Sequence, residues 1–374
     1  MNHTGLELGE MGLEILRAYP GNNGKGHGES LPISQGRHLK IVSHLNGDHR
    51  EEMIKDIQQG MTKPQKCIPP KYFYDARGSE LFEQICMTPE YYPTKTELSI
   101  LDRSAAAIMQ FFSPEGGDLI ELGSGANQKI RKLLDVVNPS EHGWIRYVPV
   151  DISQNSLLES ATELLNDYPN LEILGVLADF TRHIGVLPRG RKLITFFGST
   201  IGNLTEEEAV HLLKRIRSIM NPGDRFLLGM DMLKPLDVIE TAYNDRQGVT
   251  RDFNRNILDH LNGELNGNFN SHDFDHLAFF NPRGECVEMH LRAKCAVTVR
   301  LGDLAMSFDI RKGETLHTEI SRKFSRESAD RLFRKAGLSV ARWFTDPKGW
   351  FSLVELQVKT LEQGLMMERW SEAI

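Results

Sequence analysis

Between residues 118 and 230 short apolar runs alternate with longer stretches of helical spacing. The runs at 118–122, 146–150, 172–177, 192–197 and 225–230 predict strands. Apolar positions three and four apart predict helices over 127–137, 154–167 and 205–220. Ahead of this block, residues 37–105 read as helix and loop, with helical spacing at 49–59 and again at 98–112. After Met232 the pattern changes. Residues 236–265 are helical with a break at Gly248, and 262–270 are rich in Asn and Gly. Alternating runs at 286–300, 305–310 and 316–324 predict an antiparallel ribbon. Ser325 predicts an N-cap for a helix over 325–336, and 339–344 and 350–358 close the chain with two strands.

Strand–helix alternation implies a parallel sheet covered on both faces. The expected fold is therefore α/β: a Rossmann-like core from 106–231 with 323–374, and a second, substrate-binding lobe from 37–105 with 232–322. A substrate would lie between the two, above the strand ends. Residues 1–36, rich in Gly, Asn, His and Ser, are expected to be a disordered tail.

The first predicted strand of the core stops at Gly123-Ser124-Gly125. A glycine turn between strand and helix lets a ligand lie against the backbone, and the helix start adds partial positive charge. The third glycine of GxGxxG is missing, so the corner alone is also compatible with an ordinary strand–turn–helix connection. The next strand ends at Asp151, where a Rossmann-like unit places a carboxylate on ribose hydroxyls. The third run is followed by Asp179-Phe180, a carboxylate and a ring suited to an adenine. The competing roles are a helix N-cap for Asp151 and a solvated loop for Asp179. Three such strand ends in succession favour an adenosine ligand.

With 374 residues the chain can bury both a core and a second lobe. A net charge of −7 gives no basic footprint for nucleic acid. No apolar run is long enough to span a bilayer, and the first residues lack the basic and apolar regions of a signal peptide. Cys67, Cys86, Cys286 and Cys295 have no CxxC spacing, which fits reduced thiols in the cytoplasm. His272 and His276, four apart among carboxylates, would face one side of a helix and could hold a metal, but a third ligand is not evident.

Five segments occur in order: YFYDARGSELFEQI with PEYYPTKTE, IELGSGANQKIRKLLD, FFGSTIGNL, AYNDRQGVTRDFNRN and TEISRKF. Together, across about residues 40–360, they resemble the histidine-specific methyltransferases that make hercynine for ergothioneine biosynthesis. The resemblance implies transfer of three methyl groups from S-adenosylmethionine to the α-amino group of L-histidine, without a metal, by a chain acting as a monomer. It implies Gly123, Lys129, Asp151, Asp179 and Phe180 at S-adenosylmethionine. It implies Tyr91, Asn203 and Tyr243 around the amino and carboxylate groups of histidine, Tyr91 being preferred to Tyr92. Glu319 and Ser321 would hold the imidazole, Met289 would line the pocket, and Tyr74 and Asn203 would stand by the reacting nitrogen.

The residue types agree with that chemistry. An Asn amide offers an acceptor and a donor at one point. Glu319 and Ser321, two apart on a predicted strand, share a face, with Thr318 and Ile320 expected opposite. Taken singly, each has a plainer role: a loop-favoured Asn, core aromatics for the three tyrosines, a solvated strand face for the Glu–Ser pair. A related enzyme for a tryptophan-type amine, an NAD-dependent dehydrogenase and an inactive binding module of the same fold remain the alternative readings.

Overall fold

The computed structural model describes residues 14–17, 39–45 and 49–359. The core strands in chain order are β1 (Glu14–Arg17), β2 (Leu39–Ser43), β3 (Gly117–Leu122), β4 (Ile145–Asp151), β5 (Glu172–Leu177), β6 (Lys192–Phe196) and β7 (Arg225–Asp231). The second lobe contributes β8 (Phe274–Asn281), β9 (Cys286–Ala293), β10 (Val297–Leu301), β11 (Met306–Ile310) and β12 (Thr315–Arg322). The chain returns to the core with β13 (Leu338–Thr345) and β14 (Phe351–Val358).

Nine strands form one sheet in the order β1-β2-β5-β4-β3-β6-β7-β14-β13. It is parallel from β1 to β7, and β14 and β13 are antiparallel. Chain order reverses beside β3: β4 lies on one side and β6 on the other. That switch point is where open α/β sheets hold ligands, outside the carboxyl ends of the strands. β8, β9 and β12 form a separate antiparallel sheet, and β10 pairs with β11.

Three apolar clusters follow from this layout. Two cover the faces of the large sheet, one around Val148, Ile194 and Phe226, the other around Leu119, Tyr147 and Leu193. The third joins helices His49–Met61, Ala76–Met87, Leu236–Ala242 and Val249–Leu265 to the three-stranded sheet through Ile57, Phe73, Phe253, Leu261 and Leu291. It is the core of the second lobe.

The expected elements differ from the observed ones in six respects. Leu39–Ser43, read as helix or loop, is a strand of the core sheet. Glu14–Arg17, read as tail, pairs with it in parallel, and the rest of 1–36 lies outside the described residues. Helix Tyr92–Met109 crosses the expected lobe boundary at 105: Tyr92 packs in the lobe, Ile100 and Leu101 against the sheet. The run at 286–300 is two strands broken at 294–296, and β8 was not expected. Finally, Thr318 does not share a strand face with Ile320, because it is the extra residue of a β-bulge.

Candidate active site

At the end of β3, Gly123 has φ +68°, a conformation that L side chains resist. Its N–H and that of Ser124 both reach the Val150 carbonyl, at 2.9 and 3.3 Å, which ties the corner to β4. Around Gly125 no atom comes within 4 Å of where a Cβ would stand, so there is room for a ligand against the backbone. Asp151 closes β4. Its Oδ1 accepts the Ser153 N–H at 2.8 Å, and Ser153, not Asp151, caps the next helix. Burial raises the Asp151 carboxyl above its usual range. Asp179 is no solvated loop residue: it caps the short helix Phe180–His183, accepting from the Thr181 N–H at 2.8 Å. The Phe180 ring lies beside Gly123 and edge-on to Phe196, with centroids 5.2 Å apart.

Lys129 follows the corner, and its ammonium meets Glu97 at 2.8 Å. Glu97 also accepts the Gly198 N–H with both oxygens, at 3.0 and 2.9 Å, so one fully buried carboxylate joins the ends of β3 and β6. It falls on the apolar face of helix Tyr92–Met109, with Pro93, Ile100 and Leu101. An acid at apolar helical spacing was the sequence signal for it.

After β6, Gly198 and Ser199 both take positive φ, +73° and +57°. The Ser199 hydroxyl accepts the Asp231 N–H at 2.9 Å, which repays part of the strain at a non-glycine position. The turn leads into a 3-10 helix, Thr200–Asn203. At Gly202 a Cβ would stand 2.9 Å from the Arg322 carbonyl, so only glycine lets this turn lie flat on β12. That approach delivers Asn203, whose amide donates to Glu319.

On β12 the bulge sets the faces. His317 pairs with His290 and Glu319 with Met289, leaving Thr318 as the extra residue. His317 and Glu319, two apart, therefore point to opposite sides. Beyond the bulge Glu319, Ser321 and Lys323 are all buried. The Thr318 hydroxyl turns instead to the Asn254 side chain at 2.7 Å and the Met289 carbonyl at 3.0 Å.

A hydrogen-bonded chain runs through the site. Lys323 donates to Asp231, Tyr243 and Ser321, at 2.8 Å each. The Tyr243 hydroxyl donates to Ser321 at 2.7 Å. Tyr92 donates to Asp231 at 2.8 Å and accepts from Lys234 at 2.9 Å, and Lys234 completes an ion pair with Asp231. Two lysines hold the Asp231 carboxyl below its usual range against a large desolvation cost. Burial pushes Glu319 up to about 7, opposed by Lys323 and the Asn203 amide.

Tyr91 does not join this ionic chain. Its ring packs edge-on against Tyr243 and Phe82, centroids 6.4 Å apart in each case. Tyr74 packs edge-on against Phe82 and Phe253, at 5.8 and 6.0 Å. Tyr74 keeps 45% of its surface exposed. Desolvation is nonetheless the largest cause raising its phenol, ahead of Glu319, Cys86, Tyr243 and Asp151. Those neighbours also place Tyr74 between the Asp151 end of the core and the Glu319 end of the lobe.

Among the expected positions, Asn203 meets Glu319, Tyr243 meets Ser321, Tyr91 packs on Tyr243 and Phe180 lies beside Gly123, whereas the histidine pair does not come together. His272 sits in the short 3-10 helix Ser271–Asp273, while His276 is on β8, with its ring nitrogens against Asn254 and the Tyr243 carbonyl. The two share no helix and hold no common point. Sequence reasoning missed Glu97, Asp231 and Lys323. For Lys323 the signal was present, as it continues the two-residue spacing of Glu319 and Ser321.

A Rossmann-like sheet with this switch point and these strand-end carboxylates fits the class of S-adenosylmethionine-dependent methyltransferases. The family model described as histidine-specific, S-adenosylmethionine-dependent methyltransferase matches residues 53–358. A histidine N-alpha-methyltransferase of Mycolicibacterium smegmatis is 41% identical over 84% of this chain and 98% of its own length. The ergothioneine biosynthesis protein 1 of Neurospora crassa is 30% identical over 74% of this chain and 32% of its own. Among solved structures, the CcbJ methyltransferase of Streptomyces caelestis is 14% identical, covering 69% of this chain and 95% of that one at a TM-score of 0.41. The chain belongs to the histidine-specific, S-adenosylmethionine-dependent methyltransferases.

Proposed function

We propose that this protein methylates the α-amino nitrogen of L-histidine three times, giving Nα,Nα,Nα-trimethyl-L-histidine (hercynine), the intermediate from which ergothioneine is made. The observation that carries the reading is the polarity of the Glu319–Ser321 pair. Ser321 Oγ receives hydrogens from Tyr243 and Lys323, which leaves its own hydrogen to donate outward. Glu319, once ionised, can only accept. A neutral imidazole carries one N–H and one bare nitrogen, and so meets one acceptor and one donor. An indole has no second nitrogen and would leave the Ser321 hydroxyl unpaired, a cost that recognition by polar groups converts into selectivity. Met289, paired with Glu319 across the sheet, gives the pocket its apolar wall.

Asn203 commits one N–H to Glu319, and its Oδ1 is available to the substrate amine. Tyr91 and Tyr243 would flank the amino and carboxylate groups, with Tyr74 beside the reacting nitrogen. Asp151 would hold the ribose hydroxyls, and Asp179 with Phe180 the adenine. Lys129, already paired with Glu97, would give its remaining hydrogens to the methionine carboxylate. The open space at Gly125 and the half-buried Asp151 carboxylate fit this ligand. Bound S-adenosylmethionine supplies an electrophilic methyl group and leaves as the thioether. The residues position the amine in line, which is the entropic part of catalysis. An α-amino group with a pKa near 8 or somewhat above loses its proton at small cost, so no strong base is needed.

The same reading takes the chain as a cytoplasmic monomer with no membrane or nucleic-acid partner. The acidic net charge supports the absence of a nucleic-acid partner, the four free cysteines fit a reducing compartment, and no helix among the described residues is long and apolar enough to cross a membrane. Mass spectrometry of L-histidine incubated with the protein and S-adenosylmethionine tests the proposal. A gain of three methyl groups is expected, and no product from histidine within a panel of amino acids overturns it.

A further inference from the structure

The bulge that turns Glu319 inward turns His317 outward. On that outer face of the three-stranded sheet, register places His317 opposite His290, with Glu288 two residues before His290 on β9. One ring nitrogen from each histidine and one Glu288 oxygen lie within 4.8 Å of one another. We propose that Glu288, His290 and His317 form a binding site for a divalent transition-metal cation of the zinc type, behind the wall of the substrate pocket.

The donor set and its surroundings carry this. Two imidazoles and a carboxylate suit zinc and its first-row neighbours, whereas calcium and magnesium prefer all-oxygen sites. Each donor is held by a further contact. His317 Nε2 stands 3.1 Å from the Glu319 carbonyl, so its N–H donates there and Nδ1 keeps its lone pair. Phe279 stacks on the His290 ring, centroids 5.6 Å apart and planes 9° apart, which fixes the ring plane. Asn281 donates to Glu288 at 2.6 Å. His290 is 6% exposed, and its Nε2 stands 3.0 Å from a Glu288 oxygen, so these two donors already face one another. Zinc bonds of about 2.0–2.2 Å require the donors to draw in by roughly 1 Å, within the reach of side-chain rotation. Three protein donors leave a fourth position to water.

The cation has no part in methyl transfer. It would clamp β9 to β12 at the bulge, where the opposite face carries Met289 and Glu319.

Untagged protein, stripped with a chelator, is titrated with Zn²⁺ by calorimetry and with Co²⁺ by visible absorption. Saturable binding of a single ion per chain, with ligand-field bands of nitrogen-bound Co²⁺, is expected. Glu288→Gln, His290→Asn and His317→Asn should each weaken it by about tenfold or more, while His272→Asn leaves it unchanged. Circular dichroism confirms that each variant is folded, and Glu288→Gln retains an oxygen for Asn281. No saturable binding by the parent protein overturns the proposal. So does binding of undiminished affinity in the folded variants.

Discussion

Glu319 is a buried acid whose neighbouring positive charge, Lys323, is already shared with Asp231. Its carboxyl is raised to about 7, against an unfolded value near 4.3. The folded state therefore binds the proton more tightly, and stability falls as pH rises from about 4.3 to about 7, then levels off. Glu319→Gln removes this dependence. The unfolding free energy of the parent relative to the variant should drop by on the order of 3 kcal/mol across that window, measured by urea denaturation at a series of pH values. Glu121, raised in the same way, is common to both proteins and cancels. For ligands the expectation splits by site. Glu319→Ala should weaken histidine binding roughly 10- to 100-fold while S-adenosylmethionine binding stays nearly unchanged, and Asp151→Ala should do the reverse. Calorimetry with each ligand separately decides, and equal losses would end the division of roles. At this scale the sequence was legible where spacing carries meaning: Glu319 and Ser321 two apart, Asp151 and Asp179 after apolar runs. It was silent on Asp231, which reads as the last residue of an ordinary strand.

Among the elements, the bulge at Thr318 and the turn at 198–203 place the site. The bulge has no compositional mark that separates it from a regular strand, whereas Gly198 and Gly202 mark the turn. Thr318 fixes the bulge through its hydroxyl, and Thr318→Val keeps the shape but leaves the Asn254 oxygen without that donor. The variant should lose about 1–3 kcal/mol of stability by chemical denaturation, and its KM for histidine should rise more than its KM for S-adenosylmethionine. Parallel changes in both would place the bulge outside the substrate site. The regular elements were readable for the opposite reason. A helix such as Gln154–Asp167 declares itself by apolar spacing over several turns and by the Ser153 cap. β2 did not, because its five residues alternate too briefly to stand out and its partner β5 is more than a hundred residues away.

For the molecule as a whole, the decisive feature is the junction between the sheet and the second lobe. Tyr92 opens the long helix, Asp231 ends β7, and Lys234 and Lys323 border the lobe. These four meet in one buried ionic cluster next to the Tyr243–Ser321 contact. Removing one member leaves its partners buried and under-compensated. Lys323→Met should cost about 3–5 kcal/mol, seen as a lowered denaturation midpoint. A variant as stable as the parent would show that the cluster does not couple the lobes.

By itself the sequence determined the α/β class, most of the core strands and helices, the glycine corner at 123 and, through five separated segments, the kind of ligand pair expected. Local spacing records what each residue does within its own element. The tertiary structure alone decided that Glu319 turns inward while His317 turns outward, that Gly202 lets Asn203 reach Glu319, and that Lys323 and Tyr243 fix the direction of the Ser321 hydroxyl. Those outcomes depend on register between strands and on contacts such as Tyr243–Ser321 and Asn203–Glu319, 78 and 116 positions apart, which no local periodicity encodes.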